Sequence, residues 1–337
     1  MRSAAGVGEL ALLRQLRSRA ASRPRGSLRL GIGDDCALLA PRPGEELAVT
    51  TDLSIAGRHF RLDWHPAQAV GHRVLARGLS DLAAMGARPV AAFLSLGLPR
   101  ELTVSRGHRS AWVDRFFDGF FALAQAHKTP LAGGDLAESP IAVADIVLVG
   151  AAPRGKALLR SGARPGHLLY VTGALGGAAA GLDRLAELAH AKNRGQTPFI
   201  PKRLEALLAP HLYPQPRIAQ GLWLQRHHQA TAALDLSDGL STDLAHLCEE
   251  SELAAEVDAA ALPLHPGATL AQALHGGEDY ELLFTAAPTT RVPRKIAGIP
   301  ITKIGQMVQR RPESPGIRLL TTDGPTALEP RGWEHFS

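Results

Sequence analysis

Apolar segments of strand length alternate with segments of helical period along this chain, and the strand-like ones repeatedly end in glycine or a carboxylate. "EELAVTTD", residues 45–52, reads as a strand ending in hydroxyls and Asp52. "PAQAVGHRVLARGLSDLAAMG" then places Val70, Val74, Leu75, Leu79 and Leu82 near helical spacing, with Pro66 to start the helix and Gly86 to stop it. "RPVAAFLSLGLP" predicts a strand, "HRSAWVDRFFDGFFALAQAH" a helix, "TPLAGGD" a short strand and "IAVADIVLVGAA" another. Such alternation predicts α/β architecture, a sheet covered by helices, over a first domain that closes near Gly150.

A basic connector, "PRGKALLRSGARPG", leads to a second α/β region. "HLLYVTGALGGAAAGLDRLAEL" is a strand, a glycine turn and a helix; "ATAALDLSDGL" is a strand with carboxylates at its C-terminal end; "STDLAHLCEES" is a helix with Ser241 or Thr242 as its cap. "GGEDYELLFTA" runs from a glycine turn into a strand. The resulting division is an N-terminal helix and tail over 1–27, an α/β domain over 28–152 and a second over 153–337. A chain of 337 residues suffices for two domains of usual size, with a cleft between them. "LSD" recurs at 79–81 and 236–238, too short a match to establish a repeat.

Composition narrows the function classes. Apolar residues make up 45% and charged residues 20%, as in soluble globular proteins, and no apolar run approaches bilayer-spanning length. The N-terminus lacks a cleavage-type site and reads as an amphipathic helix through Leu10, Leu13 and Leu16, which points to the cytoplasm. Cys36 and Cys248 form no disulfide framework or metal cluster and are expected to be buried small hydrophobes. The net charge of +5 favours anionic partners, but without basic runs or interleaved aromatics phosphorylated small molecules fit better than nucleic acid.

In this basic chain Asp34, Asp35, Asp52, Asp81, Asp135, Asp235, Asp238, Glu278 and Asp279 lie beside glycines or at the ends of apolar segments. Carboxylates that converge repel one another in a low dielectric and need a cation, and hard oxygen ligands without His or Cys select magnesium. Each motif also has a plain structural alternative: Asp35 completing a turn, Asp52 capping a loop, Asp81 pairing with Arg77. Glycines beside carboxylates suit phosphates held on backbone N–H groups, yet no G-x-x-x-x-G-K-[ST] is present. "TGALGGAAAG" could cradle a phosphate or pack a helix on a strand.

"GIGDDCALL", "TTDLSIAGRHF", "GLSDLAAMGARP", "AGGDLAES", "LLRSGARPG", "LDLSDGLSTDL" and "GGEDYELLFT", in this order, resemble the thiamine-monophosphate kinase family of the aminoimidazole ribonucleotide synthetase-like superfamily. The resemblance covers nearly the whole chain. It implies two α/β (α+β) domains, a homodimer joined through the N-terminal sheets into a barrel-like interface, and ATP with several Mg²⁺ ions in a cleft. It implies metal contacts from Asp35, Thr50, Thr51, Asp52, Asp81, Asp135, Asp235 and Asp238, with Asp34 supporting its turn. Gly134, Asp135, Arg160 and Ser237 would meet ATP, and His59, Glu278 and Trp333 the thiamine phosphate.

The implied reaction passes the ATP γ-phosphoryl group to thiamine monophosphate. A phosphate monoester is largely dianionic at neutral pH, its second pKa being ~6, so no acid or base is assigned. Gly78 and Leu136 depart from the family pattern, which often has Asn before "LSD" and Thr after "GGD". An isolated His59 is also compatible with a structural role, and Trp333 with docking of the C-terminal tail. The competing readings are another ATP-dependent member of the superfamily and a non-catalytic binder of nucleotide or thiamine phosphate.

Overall fold

A computed structural model describes residues 9–20, 26–105, 110–192, 200–311, 313 and 316–333, with the backbone alone at 9–11 and 192. The chain divides into two compact units: residues 1–79, 88–154 and 188–199 form one, and residues 80–87, 155–187 and 200–337 the other.

In the first unit the elements are α1 (Glu9–Ala20), β1 (Leu28–Leu30), β2 (Leu38–Leu39), β3 (Glu45–Ile55), α2 (Ala67–Ala84), β4 (Arg88–Leu98), α3 (Trp112–Ala126), β5 (Leu131–Glu138) and β6 (Val143–Pro153). The last turn of α2, from Ser80, groups with the second unit. The sheet order is β3-β6-β4-β5. Strands β4 and β5 are parallel, joined through α3, whereas β6 is antiparallel to both β3 and β4. The β3-α2-β4 crossover is therefore split by β6, and the sheet is mixed.

All five apolar residues read on α2 are buried, and Phe116, Phe117 and Phe120 of α3 join them in the core. Two glycines let these helices approach: a Cβ on Gly71 would lie 1.9 Å from the Phe116 carbonyl oxygen, and one on Gly119 1.8 Å from that of Gln68. Helix α1 forms as expected, but it buries Leu12 and Leu16 and exposes Leu13. The i, i+4 pair at 12 and 16 points inward, while Arg19 pairs with Asp118 and lies over the Phe121 ring. The Leu10 side chain lies outside the described residues. Cys36 is exposed, contrary to expectation, because it follows the solvated Asp34–Asp35 turn; Cys248 is buried.

The second unit contains β7 (Leu168–Thr172), α4 (Gly177–Lys192, whose end from Leu188 groups with the first unit), α5 (Glu205–Leu212), α6 (Ile218–Arg226), β8 (Ala232–Asp235), α7 (Leu240–Glu250), β9 (Leu253–Asp258), α8 (Leu270–His275), β10 (Leu282–Ala286), β11 (Lys295–Ile296), β12 (Ile299–Gln309), β13 (Ile317–Thr321) and β14 (Gly324–Ala327). Its eight-stranded sheet runs β14-β13-β9-β12-β7-β10-β8, with β11 on β12. The β13–β9 pair is parallel and the other pairs are antiparallel. Its core includes Leu169, Val171, Leu234, Leu244, Val257, Leu283, Ile304 and Met307. Among the described residues no helix is long and apolar enough to cross a membrane.

Candidate active site

In the first unit Asp52 stands inside β3, not at its end, because β3 stays paired with β6 from Glu45–Pro153 to Ile55–Val143. Arg77 Nε lies 3.4 Å from Asp52 Oδ1, while Oδ2 is buried with no hydrogen bond. Burial raises the Asp52 pKa; Arg77 opposes that rise and Asp145 adds to it. An ionised oxygen buried without a donor is costly, and among the described residues Arg77 is the cation that offsets part of that cost.

Strand alternation puts Thr50 on the Asp52 face and Thr51 on the other, where the Thr51 hydroxyl donates to Asp145 at 3.0 Å. The Asp35 N–H donates to Asp34 Oδ1 at 3.0 Å, so Asp34 braces the turn and leaves the exposed Asp35 carboxylate outside this bond. Exposed Asp135 accepts from the Leu136 N–H at 2.9 Å. Gly134 must be glycine, since its φ is +148° and a Cβ would sit 1.9 Å from the Leu94 carbonyl oxygen. His59 Nδ1 accepts the Ile55 N–H at 3.1 Å, which places the ring proton of the neutral form on Nε2.

In the second unit Asp235 closes β8, buried, and takes the Ser80 hydroxyl at 2.5 Å. Asp81 follows Ser80 on the last turn of α2, half-buried. Arg160 is exposed, and its carbonyl oxygen accepts from the Ser251 hydroxyl at 3.1 Å. Ser237 and Asp238 form the turn into α7, where the Ser237 carbonyl oxygen accepts the Glu278 N–H at 2.7 Å. Glu278 has φ +69° and its Oε2 lies 3.7 Å from His211 Nδ1. Trp333 is 50% exposed, and its N–H donates to the Asp238 carbonyl oxygen at 3.1 Å.

Ser241 and Thr242 do not cap α7. Gly239, at φ +112°, holds the N-cap position, and Asp243 Oδ2 reaches back to the Asp238 and Gly239 N–H groups, both at 3.0 Å. Burial pushes the Asp243 pKa up to about 7, with the Asp238 charge adding to it against the backbone donors. An acidic residue in the first turn of a helix was the signal for this role.

Sequence reading also missed what surrounds Glu278. Asp279 accepts from Gly176 N at 2.6 Å and Ala178 N at 3.0 Å, so a carboxylate of the chain itself occupies the glycine turn that opens α4. The packing reading of "TGALGGAAAG" therefore fits better than a phosphate cradle. Burial raises Asp279 to about 7 despite these donors. Buried Glu281 is gripped by Arg217 and by the Thr172 hydroxyl, the latter at 2.6 Å. Among the described residues no three His, Cys, Asp or Glu side chains are gathered to hold a metal.

This fold and these motifs agree with a match of residues 33–152 to the family described as AIR synthase related protein, N-terminal domain. The thiamine-monophosphate kinase of Escherichia coli K12 is 38% identical over 342 residues, covering 98% of both chains. The chain belongs to the thiamine-monophosphate kinase family. The crystal structure of thiamine-monophosphate kinase from Stenotrophomonas maltophilia K279a superposes with TM-score 0.76 at 37% identity, over 94% of this chain and 97% of that one. The structure of AaThiL complexed with AMPPCP and TMP gives 0.74 at 31% identity, over 98% and 97%.

Proposed function

We propose that the protein transfers the γ-phosphoryl group of ATP to thiamine monophosphate, giving thiamine diphosphate and ADP. The observation that carries this reading is the full-length similarity to the E. coli thiamine-monophosphate kinase. A relative binds an ATP analogue and TMP together, as direct transfer between two bound substrates requires. The acceptor phosphate is already an anion, so the task of the site is to neutralise and align two polyanions.

The all-oxygen donor set and the undonated Asp52 Oδ2 suit Mg²⁺. Asp35, Thr50, Asp52, Asp81, Asp135, Asp235 and Asp238 would hold it. Thr51 belongs to this proposed set as well, although its hydroxyl lies on the other face of β3 and donates to Asp145. When bound, Mg²⁺ supplies positive charge to the phosphate oxygens in the transferring state. Gly134, Asp135, Arg160 and Ser237 bind the nucleotide; Gly134 brings bare backbone close to it, and Arg160 offers a planar fork to phosphate. His59, Glu278 and Trp333 recognise the acceptor, Glu278 facing the cationic thiazolium or the aminopyrimidine and Trp333 stacking on a ring.

The domains run over 28–152 and 153–337, preceded by the 1–27 segment, and the protein works in the cytoplasm as a homodimer without nucleic acid or membrane. Leu47, Val49 and Leu53, which are 42%, 65% and 47% exposed on one face of β3, support a dimer made through this sheet. Phosphorus NMR of the purified protein with ATP, Mg²⁺ and a panel of acceptors tests the function. New diphosphate signals matched by ADP, with thiamine monophosphate alone, are expected. ADP formation without a phosphorylated acceptor, or reaction with a different acceptor, would reject it.

A further inference from the structure

The turn at Ser237 and Asp238 anchors two other segments by their backbones. One is the Glu278 loop, held at the Ser237 carbonyl. The other is the Arg331–Trp333 strap near the C-terminus. Its three successive N–H groups all end on this turn or on the first turn of α7: Arg331 N on Ser241 Oγ at 3.3 Å, Gly332 N on Thr242 Oγ1 at 2.9 Å, and Trp333 N on the Asp238 carbonyl oxygen at 3.1 Å. Ser241 is itself braced, its Oγ lying 2.9 Å from His275 Nδ1.

A segment without regular secondary structure costs conformational entropy to fix, and water satisfies its N–H groups if it is left loose. Three consecutive directed bonds oppose that cost, and two of them use side chains that cap preference would have assigned to α7 itself. The hydroxyls of Ser241 and Thr242 are diverted from the helix they begin, while Asp243 reaches the N–H groups ahead of it. What the diversion secures is the place of Trp333 beside the Asp238 turn.

We propose that Thr242, braced by Ser241, is a positioning residue for the acceptor: by clamping the strap it sets where the Trp333 indole meets the thiamine ring. This rests on the reading of Trp333 as an acceptor contact. Thr242 touches neither substrate in this account, and its effect passes entirely through Trp333. The same turn carries Asp238 and, through Ser237, Glu278, so two of the acceptor-facing groups, Glu278 and Trp333, are referenced to one short stretch of backbone.

The test is steady-state kinetics on four single variants and one double variant. Thr242→Val keeps the shape and removes the hydroxyl; it is expected to raise the KM for thiamine monophosphate about 2- to 10-fold, the scale of one hydrogen bond. The ATP KM, kcat and Tm should stay near wild type, and Thr242→Ser should restore the acceptor KM. Gly332→Ala attacks from the other side, since its Cβ would lie 2.0 Å from the Asp238 carbonyl oxygen and 2.6 Å from Thr242 Oγ1, and should act in the same direction. In a Trp333→Ala background Thr242→Val should add nothing. If Trp333→Ala raises the acceptor KM but Thr242→Val and Gly332→Ala do not, or if the effects add, the strap proposal is overturned and the reading of Trp333 survives. An unchanged acceptor KM in Trp333→Ala removes that reading and the proposal with it. Should Thr242→Val fail to fold, Gly332→Ala, which leaves the α7 sequence intact, decides by the same criterion.

Discussion

The Ser80 hydroxyl donates to the Asp235 carboxylate at 2.5 Å, joining positions 155 apart in sequence. Both are buried, so Ser80 satisfies a carboxylate oxygen that water does not reach. Ser80→Ala is expected to cost ~1.5–3 kcal/mol, the range for a hydrogen bond to a charged group. Urea unfolding measures it, and an unchanged midpoint would mean that Asp235 is held by its other neighbours.

Buried Asp279 predicts a pH dependence. Its folded pKa is about 7, raised by burial, against ~3.9 for a free aspartate. A carboxyl whose folded pKa is raised holds its proton more tightly in the folded state. Its contribution is therefore fully present below about pH 4 and lost as pH rises toward 7, with a slope of at most ~1.4 kcal/mol per pH unit. Asp279→Asn keeps an acceptor for one of the two N–H groups, of Gly176 and Ala178, and cannot ionise. Across pH 4 to 7 wild-type stability should fall relative to this variant; parallel curves would reject the assignment.

Local elements were legible because apolar spacing is local information. α2 and α3, and β3 to β6, lie where period and punctuation put them, with ends shifted by a few residues. The insertion of β6 between β3 and β4 was not legible, since the partners Glu45 and Pro153 share no local signal. "GGEDYELLFTA" read as a glycine turn running into a strand, which does not show that its carboxylates go to three places: Glu278 to His211, Asp279 to the start of α4 and Glu281 to Arg217. Only the fold brings "HLYPQPR", residues 211–217, against that loop. Ser241 and Thr242 had the right chemistry for caps, and the strap competed for them.

The Arg217–Glu281 pair offers a test of this bracing. Arg217 Nε donates to Glu281 Oε2 at 2.6 Å, and both side chains are largely shielded. Arg217→Ala leaves a buried carboxylate without its cation and should cost ~3–5 kcal/mol, whereas adding Glu281→Ala removes the stranded charge and recovers part of the loss. Chemical unfolding of the two single variants and the double closes the cycle. A double variant less stable than Arg217→Ala alone would show that Glu281 braces the loop through other contacts.

Asp52 separates a metal ligand from a structural ion pair. Its Oδ1 meets Arg77, its Oδ2 is buried without a donor, and burial raises its pKa, so the metal-free protein carries a carboxylate it does not fully satisfy. Asp52→Asn neutralises that group at nearly constant volume. If Asp52 holds Mg²⁺, the variant should fold at least as stably as wild type without metal, because a buried neutral amide is cheaper than a buried charge. It should lose ~100-fold or more in turnover, since a metal contact in phosphoryl transfer supplies several kcal/mol, and need more Mg²⁺ for half-maximal rate. If Asp52 serves only to pair with Arg77, the same substitution lowers stability and leaves turnover and Mg²⁺ dependence as they were. Metal-free unfolding and a Mg²⁺ titration of the rate, on one preparation, distinguish the two: lowered stability with wild-type Mg²⁺ dependence would take Asp52 out of the metal set.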